Sequence, residues 1–379
     1  MIVEALSNEI DIKKYLKELG VDSGGVNILA SKAKTHLISI KDLHVGGANI
    51  LKQDALSVGA DLAVPRGTVV AAQKRVDTLL IATTKELETL ARKELAQPFG
   101  LKDLAAKLKK IAKLKKSVSS QIMGVINAND DSFFTGSRFK ESDAIASIEK
   151  MIEEGADIID IGAVSSRPNA AVVSAEEELK RVKPILESIK TNKLFQKVKL
   201  SIDSYEPIVI SAALEAGFSI VNDITGLAND EVCRLCASYQ ATAVIMHMQG
   251  TPQTMQENPV YNNILTEVYE FLQSRTQKAE SFGIKDIVLD VGIGFGKTLQ
   301  DNLLLIKHLE HFMTLEKPLL IGASRKSMID KISPAAVEER LPGTLALHLE
   351  ALRNGASILR VHDVAEHVQA VKVFKALSL

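Results

Sequence analysis

Cysteine is nearly absent from this chain: two of 379 residues, Cys233 and Cys236. So few thiols exclude a disulfide framework and fit a reducing, cytoplasmic setting. Their CRLC spacing is that of half a zinc site, but no second pair or nearby His completes it, so they read as two thiols on one helix face. An excess of one charge is missing too, with 46 Lys and Arg against 47 Asp and Glu. That balance argues against nucleic acid as a partner. No apolar run reaches the roughly 18 residues of a membrane span. The opening MIVEALSNEIDIKK lacks the basic-then-apolar order of a secretion signal. A protein with no membrane partner is therefore expected.

What is present divides in two. From Leu101 the sequence reads LKDLAAKLKKIAKLKK, with apolar residues at 101, 104, 108 and 111 in helical spacing and lysines elsewhere. SVSS follows, which sets a domain boundary near residue 118. The lysines form a solvated face, since no aromatics are interleaved for base stacking. Residues 1–118 mix β-like runs (HLISI, DLAVP, TLLIAT) with helical ones (DIKKYLKELG, KELETLARKEL), as a small α/β domain does. GVNILASKAK and HVGGANIL carry glycines but complete no phosphate-loop signature. His36, Asp42 and His44 lie close in sequence and read as surface groups. No chemistry is assigned to this domain.

Residues 119–379 are more regular. Eight short apolar runs appear in order: IMGVIN, DIIDIG, VKLSID, SIVNDI, TAVIMHM, DIVLDV, PLLIGAS and SILRVHD. Helical patterns separate most of them, so the expected fold is a (β/α)8 TIM barrel. A doubly wound open sheet is the alternative, but eight similar repeats favour closure. Active sites of such barrels sit at the C-terminal strand ends. Those ends read Asn127, the SSRPNA loop, Asp203, Asn222–Asp223, His247, Asp290, Ser324–Arg325–Lys326 and Arg360–His362–Asp363. A polar group at every end calls for one shared site. Asp203, Asn222, Asp290 and Lys326 suit a planar, hydrogen-bonding heterocycle. Arg360 and His362, after the eighth strand, suit an anion.

The segments MGVINANDDSF, DIIDIGAVSSRPNA, SIDSYEP, IVNDITG, MHMQGTPQTMQENPVY, LDVGIGFGK, IGASRKS and RVHDV together resemble the dihydropteroate synthase family. The resemblance spans residues 121–379. It implies condensation of 6-hydroxymethyl-7,8-dihydropterin pyrophosphate with 4-aminobenzoate, giving dihydropteroate and pyrophosphate. It further implies that Asp203, Asn222, Asp290 and Lys326 hold the pterin, and that Arg360 and His362 bind the pyrophosphate with Asn127, a ligand of Mg2+. Ser166, Arg167, Pro168, Phe133 and Ser327 would form the aminobenzoate site. Lys326, Asp203, Asp290, Arg360 and His362 would carry the catalysis, and a homodimer is the family's state. Two alternatives stay open: a methyltransferase moving a methyl group from a folate to a corrinoid, and a non-catalytic pterin-binding paralogue. The latter is motivated by departures from the family's loops, at Ala128–Asp130, Phe134, Thr135, Ser137, Val164 and Asn169.

Overall fold

In the computed structural model, residues 1–7, 10–114, 120–127, 141–164 and 173–377 are described, 141–143 by backbone only. The chain forms two compact units, Met1–Lys115 and Lys116–Leu379.

The first unit is built on a three-stranded antiparallel sheet of β1 (Thr35–His44), β2 (Asp61–Ala63) and β3 (Arg75–Thr83), in the order β1-β3-β2. Along β3 burial alternates strictly, so Val76, Thr78, Leu80 and Ala82 face inward while Leu79 and Ile81 face out. The helices Val45–Val58, Thr84–Lys93 and Leu101–Lys113 close over the inner face, with Leu51, Leu80, Leu87, Leu90, Leu101 and Leu108 in one core. Thr83 opens the second helix through a reciprocal cap with Glu86. In the lysine-rich helix, Leu101, Ala105 and Leu108 are buried and the lysines take the remaining faces.

The second unit is the closed parallel barrel that its eight runs predict. Its strands are β4 (Gln121–Asn127), β5 (Ile158–Gly162), β6 (Lys199–Asp203), β7 (Ile220–Asp223), β8 (Thr242–Met246), β9 (Ile287–Asp290), β10 (Leu319–Ile321) and β11 (Ile358–Val361). They close in the order β10-β11-β4-β5-β6-β7-β8-β9. Strands buried on both faces read as near-continuous apolar runs, as these do. One face packs under the surrounding helices. The other forms a plug of Met123, Ile158, Ile220, Val244, Val288, Leu320 and Ile358.

That plug positions the site. Strand side chains repeat every two residues, so the positions two steps onward share the same face one layer nearer the C-terminal end. Those positions are Val125, Asp160, Asn222, Met246, Asp290, Gly322 and Arg360. The apolar plug thus gives way, in a single step, to a layer holding two carboxylates, an amide and a guanidinium.

Candidate active site at the barrel mouth

Asp160 is the centre of this layer. It is fully buried, and no C-terminal strand-end rule points to it, because two further strand residues follow it. Its Oδ1 accepts the Ser201 hydroxyl at 2.6 Å; its Oδ2 accepts Asn222 Nδ2 at 3.0 Å and Arg360 Nε at 2.6 Å. Arg360 Nη2 donates onward to Asp203 Oδ2 at 2.6 Å. The guanidinium fork therefore ties three strands together through two carboxylates. The Asp203 carboxyl is pushed up to about 7, chiefly by burial, with Arg360 opposing and Asp160 adding to the rise. Burial alone would lower the Arg360 pKa, but the carboxylates of Asp160 and Asp203 outweigh it and raise it.

The loop after β9 is shaped by glycine. Gly292, Gly294 and Gly296 all have positive φ, and a Cβ on Gly292 would lie 1.9 Å from the His247 carbonyl oxygen. The resulting turn lets Gly292 N–H donate to Asp290 Oδ1 at 2.7 Å, while burial raises the Asp290 pKa. Lys297, 3% exposed, fastens the turn from beneath. Its Nζ reaches the carbonyls of His247, Gly292 and Phe295 at 2.8–3.1 Å, which matches the three N–H groups of an ammonium, with His247 Nδ1 at 3.0 Å. Desolvation lowers Lys297 to about 7 and His247 to about 3. The sequence motif GIGFGK holds this lysine, and the three carbonyls give it a structural role.

The loops after β10 and β11 are joined. Arg325, in the left-handed region at φ 55°, turns the chain so that the Lys326 ammonium lies 4.3 Å from the Phe295 ring centre. Lys326 is close enough to Asp203 and Asp290 to oppose the rise that burial gives both pKa values. Asp363 receives the Arg325 guanidinium through Nε and Nη2. His362 N–H donates to Ser324 Oγ at 3.3 Å, and Oγ lies 2.9 Å from His362 Nδ1. When Ser324 donates its proton to Nδ1, a neutral His362 carries its own on Nε2. Burial, with Arg360 and Arg325 nearby, lowers His362 to about 4, which leaves the ring neutral at pH 7.

Behind these loops lies a buried pair, His348 and His367, 0% and 1% exposed. His367 Nδ1 is 2.6 Å from the Asp363 carbonyl, which can only accept. His367 Nε2 must then accept from His348 Nδ1 at 2.9 Å, and His348 Nε2 accepts Ala323 N–H at 3.0 Å. One proton order satisfies every member with both rings neutral, in line with the lowering of both pKa values by desolvation.

Among the residues expected from sequence, Asp203, Asn222 and Arg360 meet around Asp160; Asp290 and Lys326 stand across the mouth, and His362 beside Ser324. Asn127 ends β4, half-buried, and Ser327 opens the short helix Ser327–Ile332. Phe133, Ser166, Arg167 and Pro168 lie outside the described residues. Asp160, Ser201, Lys297, His348 and His367 were not among the candidates; only the two-residue step from the apolar plug singles out Asp160.

Residues 123–362 match the family described as pterin binding enzyme. The chain is 44% identical over 378 residues to the bifunctional dihydropteroate synthase/dihydropteroate reductase of Helicobacter pylori, covering 100% of this chain and 99% of that one. It is 43% identical over 261 residues to the dihydropteroate synthase of Haemophilus influenzae, covering 68% of this chain and 94% of that one. A crystal structure of dihydropteroate synthase from Thermus thermophilus in complex with 4-aminobenzoate superposes with a TM-score of 0.62 at 36% identity, over 69% of this chain and 96% of the other.

Proposed function

The chain belongs to the dihydropteroate synthase family of pterin-binding enzymes, and from that membership and the polar layer of its barrel we propose that it condenses 6-hydroxymethyl-7,8-dihydropterin pyrophosphate with 4-aminobenzoate. The products are 7,8-dihydropteroate and pyrophosphate. The observation that carries the reading is the Asp160–Arg360–Asp203 cluster with Asn222, set directly above an apolar plug. Asp203, Asn222 and Asp290 offer acceptors to the N–H and amino groups of a pterin edge, and Lys326 meets its carbonyl oxygen and ring nitrogen. Arg360 and a neutral His362 donate to the pyrophosphate oxygens. As the methylene C–O bond breaks, its electron pair leaves with pyrophosphate and the donors stabilise that charge. The amine of 4-aminobenzoate is uncharged at pH 7 and attacks the cation-like carbon without a strong base, losing its proton as the C–N bond forms. Ser327, with Ser166, Arg167, Pro168 and Phe133, would hold the aminobenzoate.

Mg2+ belongs to the same proposal. Asn127 offers one neutral hard oxygen at the end of β4, which fits an ion that keeps waters and draws most other ligands from phosphates. When bound, such an ion draws negative charge from the leaving group. A homodimer in the cytoplasm completes the reading, and light scattering of the purified chain checks the dimer. Supplying both substrates with Mg2+ should yield dihydropteroate. Pterin binding without product would instead make the chain a non-catalytic paralogue.

A second activity is favoured by coverage. The bifunctional relative aligns with the whole chain, whereas the 261-residue match to the H. influenzae synthase is close to the length of the barrel unit alone. The N-terminal unit would then serve dihydropteroate reduction. A hydride donor gives two electrons to the imine carbon of the dihydropterin ring, whose nitrogen takes a proton. Tetrahydropteroate formation by the full chain with a nicotinamide or flavin donor tests it.

A further inference from the structure

The N-terminal unit contains a cavity of about 370 Å³, the size of a small-molecule site. Its lining gathers the residues that sequence left unassigned, Asp42, His44 and the start of HVGG, with Phe99 from a later loop. His44 and Phe99 stack with ring centres 4.5 Å apart and planes within 1°. Phe99 is held at φ 60° with half of its surface exposed. A bulky residue in the left-handed region is strained, and an aromatic ring gains nothing by facing water. Asp42, on the same wall, is left-handed at φ 52° within the bulge between Ile40 and Leu43, a conformation that Asp adopts readily. Gly46 completes the seat, because a Cβ there would press on the Phe99 ring at 2.9 Å. His44 Nδ1 accepts Gly46 N–H at 3.0 Å, so the neutral ring carries its proton on Nε2. Strain of this kind persists where the surrounding structure demands it, and it clusters at binding sites.

The charge of the lining points to the ligand. The lining carries Lys41, Arg75 and Lys107 with Asp42 and Asp103, and Lys41 is already paired with Asp77 at 2.8 Å, which leaves Arg75 and Lys107 as its other cations. Arg75 is already oriented, its Nη1 donating to the Asp42 carbonyl at 2.6 Å and to Asp42 Oδ2 at 2.8 Å. We propose that this cavity binds a planar aromatic ring carrying an anionic group, with the ring against the His44–Phe99 pair and the anion toward Arg75 and Lys107. The proposal rests on the reductase reading and gives it a site. Two sources have this chemistry: the barrel's product, whose ring system ends in a carboxylate, and a phosphorylated hydride carrier.

Isothermal titration of the full chain with pteroate, flavin mononucleotide and NADPH distinguishes them, pteroate being read as a second equivalent beyond the barrel's own. At least one probe should bind with an affinity that falls tenfold or more in both Phe99→Ala and Lys107→Glu, while synthase turnover stays within twofold. Lys107 is exposed, so its variant keeps the test valid should Phe99→Ala fail to fold. If none of the three shows binding sensitive to Lys107→Glu, the site is overturned. Variant-sensitive binding without dihydropteroate reduction sinks the reductase reading and leaves the site standing; reduction untouched by Lys107→Glu does the reverse.

Discussion

Replacing Asp160 with Asn removes one negative charge from the barrel mouth and leaves its hydrogen bonds satisfiable. The side chain is fully buried and accepts from Ser201, Asn222 and Arg360. An asparagine keeps an oxygen toward Asn222 and Arg360 and turns its amide to Ser201 Oγ, which accepts as readily as it donates. Arg360 retains Asp203, so one charge-assisted bond is weakened and no charge is orphaned, at a cost of about 1–2 kcal/mol. The larger effect falls on Asp203, whose carboxyl sits at about 7 partly because Asp160 repels its charge. The two carboxylates share one guanidinium, so at about 5 Å and an effective dielectric of about 20 their repulsion is worth about 3 kcal/mol, or roughly two pH units. In the proposed role of Asp203, the ionised carboxylate takes two pterin hydrogen bonds where the protonated form takes one, so kcat/KM for the pterin pyrophosphate should rise with pH through about 7 in the native chain. In Asp160→Asn the midpoint should fall by about two units. The folded pKa of Asp203 lies above its unfolded value, so the fold loses stability as pH climbs from about 4 to 7, and the variant should lose less. Profiles of kcat/KM from pH 4 to 9, with urea melts at the same pH values, read both effects. A midpoint that stays put or moves up refutes the electrostatic account.

Lys326→Ala and Asp290→Ala should each lower kcat/KM at least ~100-fold, and near-native turnover in either would refute its assignment. Lys297→Met leaves three buried carbonyls without their donor, at about 1–3 kcal/mol each, so it should lower both Tm and pterin affinity; a change confined to Tm would contradict its hold on the Asp290 turn. His348→Phe and His367→Phe break one chain of hydrogen bonds, so the double variant should lose clearly less stability than the two singles summed. Additive losses would show that the rings act separately. Glu94 is fully buried, neither carboxylate oxygen has a donor among the described residues, and burial with the nearby Asp54 charge raises its pKa to about 7. Stability should therefore fall as pH rises from about 4.5 to 7 and level off above, by up to about 3 kcal/mol, and Glu94→Gln should flatten that slope in urea melts.

The barrel was legible because each of its strands is buried on both faces and so writes itself as a short apolar run. The strand-end rule then points to Asp203, Asn222, Asp290, Lys326, Arg360 and His362 as candidates, and the structure sets them at the barrel mouth. It missed Asp160 because that carboxylate stands within β5, where only knowledge of which face turns inward marks it out. Lys297 was hidden for another reason: its three partners are backbone carbonyls, which no side-chain pattern encodes. His348 and His367 sit in separate helices, and no local pattern pairs them with each other or ties His348 to Ala323. In the N-terminal unit, Asp42 is exposed, as its sequence reading expects, whereas His44 stacks on Phe99, more than fifty residues later, which no local pattern shows.

The most direct measurement is the stoichiometry of turnover: purified full chain, dihydropterin pyrophosphate, 4-aminobenzoate and Mg2+, with dihydropteroate and pyrophosphate both quantified. The account predicts equal amounts of the two, pyrophosphate release that depends on 4-aminobenzoate, and loss of both products in Lys326→Ala. Pyrophosphate released at the native rate without 4-aminobenzoate, or no dihydropteroate from a chain that binds the pterin, would contradict it.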